Sequence, residues 1–154
     1  MDNFDQAFAE FEAAAQIRRS AEDWLAGFEA ALASRDAARI GALFHADCQW
    51  RDILAFTWHI TPTEGREAVA IRLAHEQART AAHDFHLPQD RRPPRKVTRL
   101  GIESIEAIFA FKTAYGRGAG ILRLAPVAEG MTAWHISTTL DALDGSEEKI
   151  GDNR

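Results

Sequence analysis

The feature that most constrains the fold of this 154-residue chain is a change of hydrophobic periodicity near residue 46. Before that point apolar residues recur every three or four positions, which predicts amphipathic helices. Beyond residue 96, strand-length runs alternate between apolar and polar residues and are separated by glycine-containing turns. Helices followed by a sheet predict an α+β domain whose helices pack on one face of an antiparallel sheet.

The first half predicts three helices before the first strand. Three phenylalanines in MDNFDQAFAEF are spaced four and three residues apart, so they form an apolar stripe that we expect in the core or at a dimer interface. Ser20 stands three residues before Asp23, a variant of the capping box, and predicts the start of a second helix at Ala21. Asp36 is positioned to cap a short third helix.

The segment CQWRD alternates as a strand does. Cys48, Trp50 and Asp52 fall on one side, whereas Arg51 falls on the other, so Arg51 and Asp52 do not pair in a regular strand. We interpret Arg51 as a member of a surface or interface ion pair, with an anion anchor at a pocket rim as the alternative. The following ILAFTWHI could continue extended, and residues 65–82 have the composition of a longer helix.

The second half predicts a sheet. The connector QDRRPPRK contains two prolines, and the runs KVTRL, ESIEAIFAFKT, GAGILRLAP and MTAWHISTTLDAL follow as strands. In the last run Trp134, Ile136 and Thr138 share one face, with His135 on the other. The alternating glycines of YGRGAGIL predict a hairpin turn.

The composition excludes several function classes. A formal net charge of −5 argues against a general nucleic-acid binder, because phosphate binding needs an electropositive face. No apolar run approaches the ~20 residues that span a bilayer, so we expect no membrane insertion. Cys48 is the only cysteine and the acidic start is unlike a signal peptide, which together predict a cytoplasmic protein.

The order of these elements resembles the nuclear-transport-factor-2-like superfamily, also called SnoaL-like. The resemblance covers about residues 20–143 and is carried by FEAALASRDAARIGALFHADCQWRD followed by EGREAVAIRL. It implies a cone, in which a strongly curved antiparallel sheet wraps around the N-terminal helices. Residues 1–19 would form a preceding amphipathic helix, and residues 144–154 a polar tail.

The stretch WRDILAFTW looks more narrowly like the front domain of flavin-containing monooxygenase-like proteins. That resemblance implies an accessory or dimerisation module of such an enzyme, and the superfamily implies a homodimer through the sheet. No Gly-x-Gly-x-x-Gly between a strand and a helix is present, so we expect no FAD, NADPH or other cofactor. His83 and His86 lack partners with ligand spacing, so we expect no metal.

A curved sheet under helices predicts a concave, mostly apolar pocket for a small molecule. By resemblance, Asp52 falls where ketosteroid isomerases of this superfamily carry their general base, whereas Phe28 replaces their oxyanion-stabilising tyrosine. His59 and His135 are the candidates to assist proton transfer. The predicted walls of the pocket are aromatic: Trp50, Trp58, Phe28, Trp134 and Phe109.

Three functions remain open at this point. The first is binding of a small hydrophobic molecule without chemistry. The second is general acid/base catalysis through Asp52, of the isomerase, dehydratase or epoxide hydrolase type. The third is the accessory role beside a flavin monooxygenase.

Overall fold

A computed structural model describes residues 2–127 and 130–145 of the chain. The helices are α1 (Asn3–Ser34), α2 (Ala37–Gly41) and α3 (Arg66–Thr80), and the strands are β1 (Phe44–Ile53), β2 (Ile60–Glu64), β3 (His83–His86), β4 (Arg95–Arg99), β5 (Ile102–Lys112), β6 (Gly116–Val127) and β7 (Gly130–Leu143). Most of the predicted polar tail, residues 144–154, lies outside the described residues.

The α+β prediction is confirmed, and the strands form a curved, unclosed sheet that follows the N-terminal helices. The strand order is β2-β1-β7-β6-β5-β3, and β4 also pairs with β5. One pairing differs from the expected antiparallel sheet, because β1 runs parallel to β7. The sheet is therefore mixed, with the first strand beside the last.

Helix α1 is continuous over 32 residues and crosses the position where we predicted a new helix. The predicted start at Ala21, with Ser20 as its cap, is wrong, since the Ser20 hydroxyl donates to the Gln16 carbonyl (3.1 Å) from inside the helix. The N-terminal cap is Asp2, whose side chain accepts from the backbone N–H of Asp5 (2.8 Å). The alanine-rich sequence favours helix strongly enough to continue through a potential capping residue.

The two halves of α1 present their apolar residues in different directions. The buried residues all lie in the second half: Ala21, Trp24, Leu25, Phe28, Ala31 and Leu32. Phe4, Phe8 and Phe11 in the first half are 75%, 58% and 69% exposed. At 100° per residue this stripe points roughly 120° away from the core face. The expectation that it packs in the core of its own chain is therefore wrong.

The other two helices follow the sequence closely. The Asp36 carboxylate caps α2, accepting from the N–H groups of Ala38 (2.9 Å) and Arg39 (3.4 Å). Helix α3 occupies most of the predicted 65–82 segment and buries Leu73 against the sheet layer.

The alternating glycines belong to strand β6 and not to a turn, which corrects the prediction for YGRGAGIL. Gly118 lies opposite Phe111 and Gly120 opposite Phe109 in the β5–β6 pairing. A Cβ atom added at Gly118 would lie 2.6 Å from the Phe111 ring. Glycine is required here because the two phenyl rings lie across the strand backbone.

Aromatic side chains fill the concave side of the sheet. The cluster consists of Trp24, Phe28, Phe44, Trp50, Phe56, Phe85, Phe109 and Phe111, all buried. Neighbouring rings in this aromatic core lie with centroids 4.8–6.0 Å apart in stacked, tilted and edge-on pairs. The interior of the cone is thus packed with side chains.

Candidate functional site

The predicted alternation of β1 is confirmed. Cys48, Trp50 and Asp52 are buried toward the aromatic core, and Arg51 is exposed on the opposite face. Burial raises the pKa of the Cys48 thiol, so this side chain is a buried hydrophobe and not a thiolate.

The Asp52 carboxylate is completely buried and accepts hydrogen bonds from four donors. The N–H of Phe56 lies 3.1 Å from both oxygens, and Oδ2 also accepts from the N–H and the hydroxyl of Thr57, each at 2.8 Å. Oδ1 accepts from the Thr138 hydroxyl at 2.6 Å. A carboxylate offers about four lone-pair positions. These four donors therefore occupy the positions that a general base would direct at a substrate.

The bonds to Asp52 hold a tight loop between β1 and β2. Residues 54–59 bend, so the expected extended continuation of ILAFTWHI is wrong. Leu54 and Trp58 adopt positive φ angles of 66° and 59°, and the N–H of Leu54 donates to the His59 carbonyl at 3.1 Å. The carboxylate thus satisfies buried N–H groups that the turn leaves without ladder partners.

Trp50 is connected to the same network. Its indole N–H donates to the Thr138 hydroxyl (3.0 Å), which in turn donates to Asp52. The Trp50 ring packs edge-on against Phe56, with centroids 5.4 Å apart. Strands β1 and β7 are therefore joined by a buried polar chain as well as by their ladder.

The remaining aromatic candidates divide between core and surface. Phe28 stacks on Trp24 (4.8 Å) and Phe109 packs beside Phe85 (5.9 Å), both inside the aromatic core. Trp58 is partly exposed and meets Tyr115 edge-on at 5.4 Å.

The structure does not bring the three predicted catalytic side chains together. His59 is exposed at the end of the 54–59 loop, Asp52 is enclosed beneath that loop, and His135 lies on the outer face of the sheet. Their catalytic roles stay predictions.

Trp134 and His135 lie together because β7 contains a bulge. Arg123 pairs with His135 and Leu124 with Ala133, which leaves Trp134 as the extra residue. The expectation that Trp134 shares the inner face is therefore wrong, and Ala133 takes the buried position. With Gln49 and Arg123, these two side chains line a shallow depression of about 120 Å³.

An apolar groove of about 460 Å³ lies between α1 and one end of the sheet and is here called the α1 groove. Its lining is Ala13, Gln16, Ile17, Ser20, Lys96, Glu103, Ser104, Ile105, Pro126 and Met131. None of the predicted ligand-binding residues lines it. The lining residues come from one helix and four strands that lie far apart in the sequence, so no local motif predicts them.

Ser104 has an unusual environment in the wall of the α1 groove. Its side chain is 2% exposed, and its hydroxyl has no hydrogen-bond partner among the described residues. Buried hydroxyls are normally paired, and an unpaired one costs about 1–3 kcal/mol. At the rim, Lys96 and Glu103 form an ion pair (3.3 Å).

Two further properties bear on ligands and location. Within residues 2–127 and 130–145, no three His, Cys, Asp or Glu side chains converge to hold a metal ion. No helix in that part of the chain is long and apolar enough to cross a membrane.

Comparison with known proteins gives matches in structure but not in sequence. No family model matches the chain, and no curated protein matches its sequence. A nuclear-transport-factor-2-like protein with a cystatin-like fold from Novosphingobium aromaticivorans superposes with a TM-score of 0.60 at 16% identity, covering 95% of this chain and 94% of the other.

Two more solved structures agree. A nuclear-transport-factor-2-like superfamily protein from Salmonella enterica serovar Typhimurium superposes with a TM-score of 0.57 at 12% identity, covering 91% of this chain and 99% of the other. A Novosphingobium aromaticivorans protein provisionally described as an aromatic ring hydroxylase gives 0.57 at 14%, over 81% and 89%. Superpositions at such low sequence identity establish a shared fold and no shared activity. The chain has the nuclear-transport-factor-2-like fold.

Proposed function

We propose that this protein binds a small, largely apolar molecule in the α1 groove. The observation that carries the proposal is the Ser104 hydroxyl, which is buried without a partner among the described residues in the wall of an apolar groove. The groove volume of about 460 Å³ falls within the range of small-molecule sites. A ligand with one hydrogen-bonding group for Ser104 would satisfy the hydroxyl and cover the apolar wall.

The lining favours a neutral ligand. Lys96 and Glu103 pair with each other at the rim, so the groove offers no unpaired charge from either side chain. Ile17, Ile105 and Met131 supply the apolar contact surface, and an unbranched methionine adapts to ligands of different shape. These features fit an alcohol, ketone or phenol with a hydrophobic body.

A blocking substitution tests the location. Ala13 lines the groove and is exposed, so Ala13→Trp should fill the space without disturbing the core. Ala14→Trp is the matched control, because it adds the same side chain one position along the helix and does not line the groove. We expect a neutral fluorescent probe, N-phenyl-1-naphthylamine, to bind the unaltered protein and Ala14→Trp but not Ala13→Trp. Equal binding to both variants would disprove the location.

A second substitution tests the role of Ser104. We expect Ser104→Ala to weaken binding of 2-naphthol severalfold and to leave naphthalene binding unchanged, because only the phenol can pair with the hydroxyl. The same change should raise the free energy of unfolding by about 1 kcal/mol, since it removes an unpaired buried group. Loss of stability on this substitution would mean that the hydroxyl has a structural partner.

The accessory role beside a flavin monooxygenase, the homodimer and the cytoplasmic location stay predictions. The protein provisionally described as an aromatic ring hydroxylase shares the fold, which accords with a place beside an oxygenase. Light scattering at micromolar concentration tests the homodimer: a monomer would disprove it. The cytoplasmic location rests on the sequence arguments alone.

A further inference from the structure

The outer face of the sheet, opposite the aromatic core, carries an excess of positive charge. Glu106 accepts from Arg123 (3.2 Å), Arg95 (3.3 Å) and Arg99 (3.4 Å). Three guanidinium groups around one carboxylate leave a local excess of two positive charges. Arg51 adds another from β1, and it makes no ion pair among the described residues.

Arg123 lines a depression of about 120 Å³ together with Gln49, Trp134 and His135, and the charges of Arg123 and Arg51 both act on His135 there. The strand pairing explains their convergence. Gln49 lies opposite His135, and His135 lies opposite Arg123, so β1, β7 and β6 place three polar side chains in one row. The bulge in β7 adds Trp134 to that row, with an indole N–H that can only donate.

Each of the four side chains that line the depression can donate a hydrogen bond. Arg51 and Arg123 provide planar guanidinium groups, which match the geometry of carboxylate and phosphate oxygens. The Gln49 amide and the protonated form of His135 donate as well. The depression is also too small for the apolar ligand of the α1 groove.

We propose that this depression binds a small oxyanion, a carboxylate or phosphate group, through Arg51, Arg123 and His135. This site is independent of the proposed function, since no residue is shared with the α1 groove.

His135 provides a direct reporter of the anion. Burial lowers its pKa below the ordinary value, and the positive charges of Arg123 and Arg51 lower it further, so these surroundings favour the neutral imidazole over the protonated one. The groups that face it are Arg51 and Gln49 from β1 and Arg123 from β6. An anion in the depression would counter both arginine charges and raise the pKa of His135. By linkage, the anion binds more tightly as the pH falls through that pKa.

The test uses sulfate, whose charge does not change over the pH range in which histidine titrates. NMR titration of His135 should show its pKa rising with sulfate and not with chloride at matched ionic strength. Calorimetry should show a roughly tenfold loss of sulfate affinity in Arg51→Gln, the effect of losing one charge-assisted contact. Arg117→Gln, at the far end of β6, removes the same charge and should keep the affinity.

Separate titrations with acetate and phosphate identify the anion class, and either binding supports the site. Equal sulfate affinity in Arg51→Gln and the unaltered protein would overturn the proposal. So would a His135 pKa that responds to protein concentration but not to sulfate, because the face would then be covered by a second copy of the chain.

Discussion

Substitution of Asp52 by asparagine separates a structural carboxylate from a catalytic one. The side chain keeps its shape but exchanges one acceptor oxygen for an NH₂ group. The Oδ1 atom can still accept from Thr138 and Phe56, whereas the new NH₂ faces the Thr57 N–H, which in the unaltered protein donates to Oδ2 at 2.8 Å. We therefore expect the variant to be destabilised and the 54–59 loop to loosen.

The magnitude follows from the donors that lose an acceptor. The Thr57 hydroxyl can turn to the His59 carbonyl at 3.1 Å. The Thr57 N–H, however, is left buried without an acceptor, which costs about 1–3 kcal/mol of unfolding free energy. The hydrogen bonds that the asparagine side chain still accepts are no longer made to a charged group, and this loss costs roughly a further 1 kcal/mol. The total is about 2–4 kcal/mol of unfolding free energy, or on the order of 5–15 °C in Tm for a domain of this size.

Urea denaturation and amide hydrogen exchange measure the two effects. The N–H groups of Phe56 and Thr57 should exchange much faster in Asp52→Asn, since both donate to the carboxylate. Asp47→Asn on the same strand is the control, because Asp47 is exposed, and its stability should stay within ~0.5 kcal/mol. An unchanged urea midpoint together with unchanged exchange at both amides would refute the structural role and return Asp52 to the catalytic candidates.

Three other substitutions or probes test the packing and the charges. Gly120→Ala should lower the unfolding free energy, measured by urea denaturation, by about 2–3 kcal/mol, because a Cβ there would overlap the Ser137 carbonyl and the Phe109 ring. Gly27→Ala in α1 is the control, because its Cβ would meet only Leu43 at 3.6 Å and should not destabilise the protein in the same assay. Burial tends to raise the pKa of Glu106, but bonds from its arginine partners lower it overall, so its contribution is present at neutral pH and lost as the pH falls through that lowered pKa. Glu106→Gln should therefore be less stable at pH 7 by roughly 1–2 kcal/mol and converge with the unaltered protein in acid, measured by urea denaturation across pH. Cys48 should resist Ellman's reagent in the folded protein and react once urea unfolds it, and a rapid reaction with folded protein would contradict its burial.

Local patterns predicted the elements of this fold well because they are short-range. The Asp36 cap, the 65–82 helix and the alternation of Cys48, Trp50 and Asp52 each depend on residues within a few positions of one another. The predicted helix start at Ala21 is also a local inference, and it is wrong because the surrounding helix formers stabilise a continuous helix more than one capping residue favours a break.

Long-range pairing was beyond the reach of these patterns. The glycines of β6 look like a turn until Phe109 and Phe111 are placed across from them, and Trp134 looks inward-facing until the bulge against β6 is known. Both depend on which residues of a neighbouring strand lie opposite, which one strand's sequence does not specify. The α1 groove was missed for the same reason, since its walls come from segments far apart in the chain.

The packing of the cone explains why a binding site should lie outside it. Phe28 stacks on Trp24 and packs edge-on against Phe85. Glycines in β6 let the β5 phenyl rings lie across the strand, and the Asp52 oxygens are used by the 54–59 loop. A ligand at the centre would have to displace several buried aromatic rings, each contributing about 1.5–3 kcal/mol to folding. The α1 groove and the outer depression need no such displacement, because both already open to solvent beside side chains with unused hydrogen-bonding capacity.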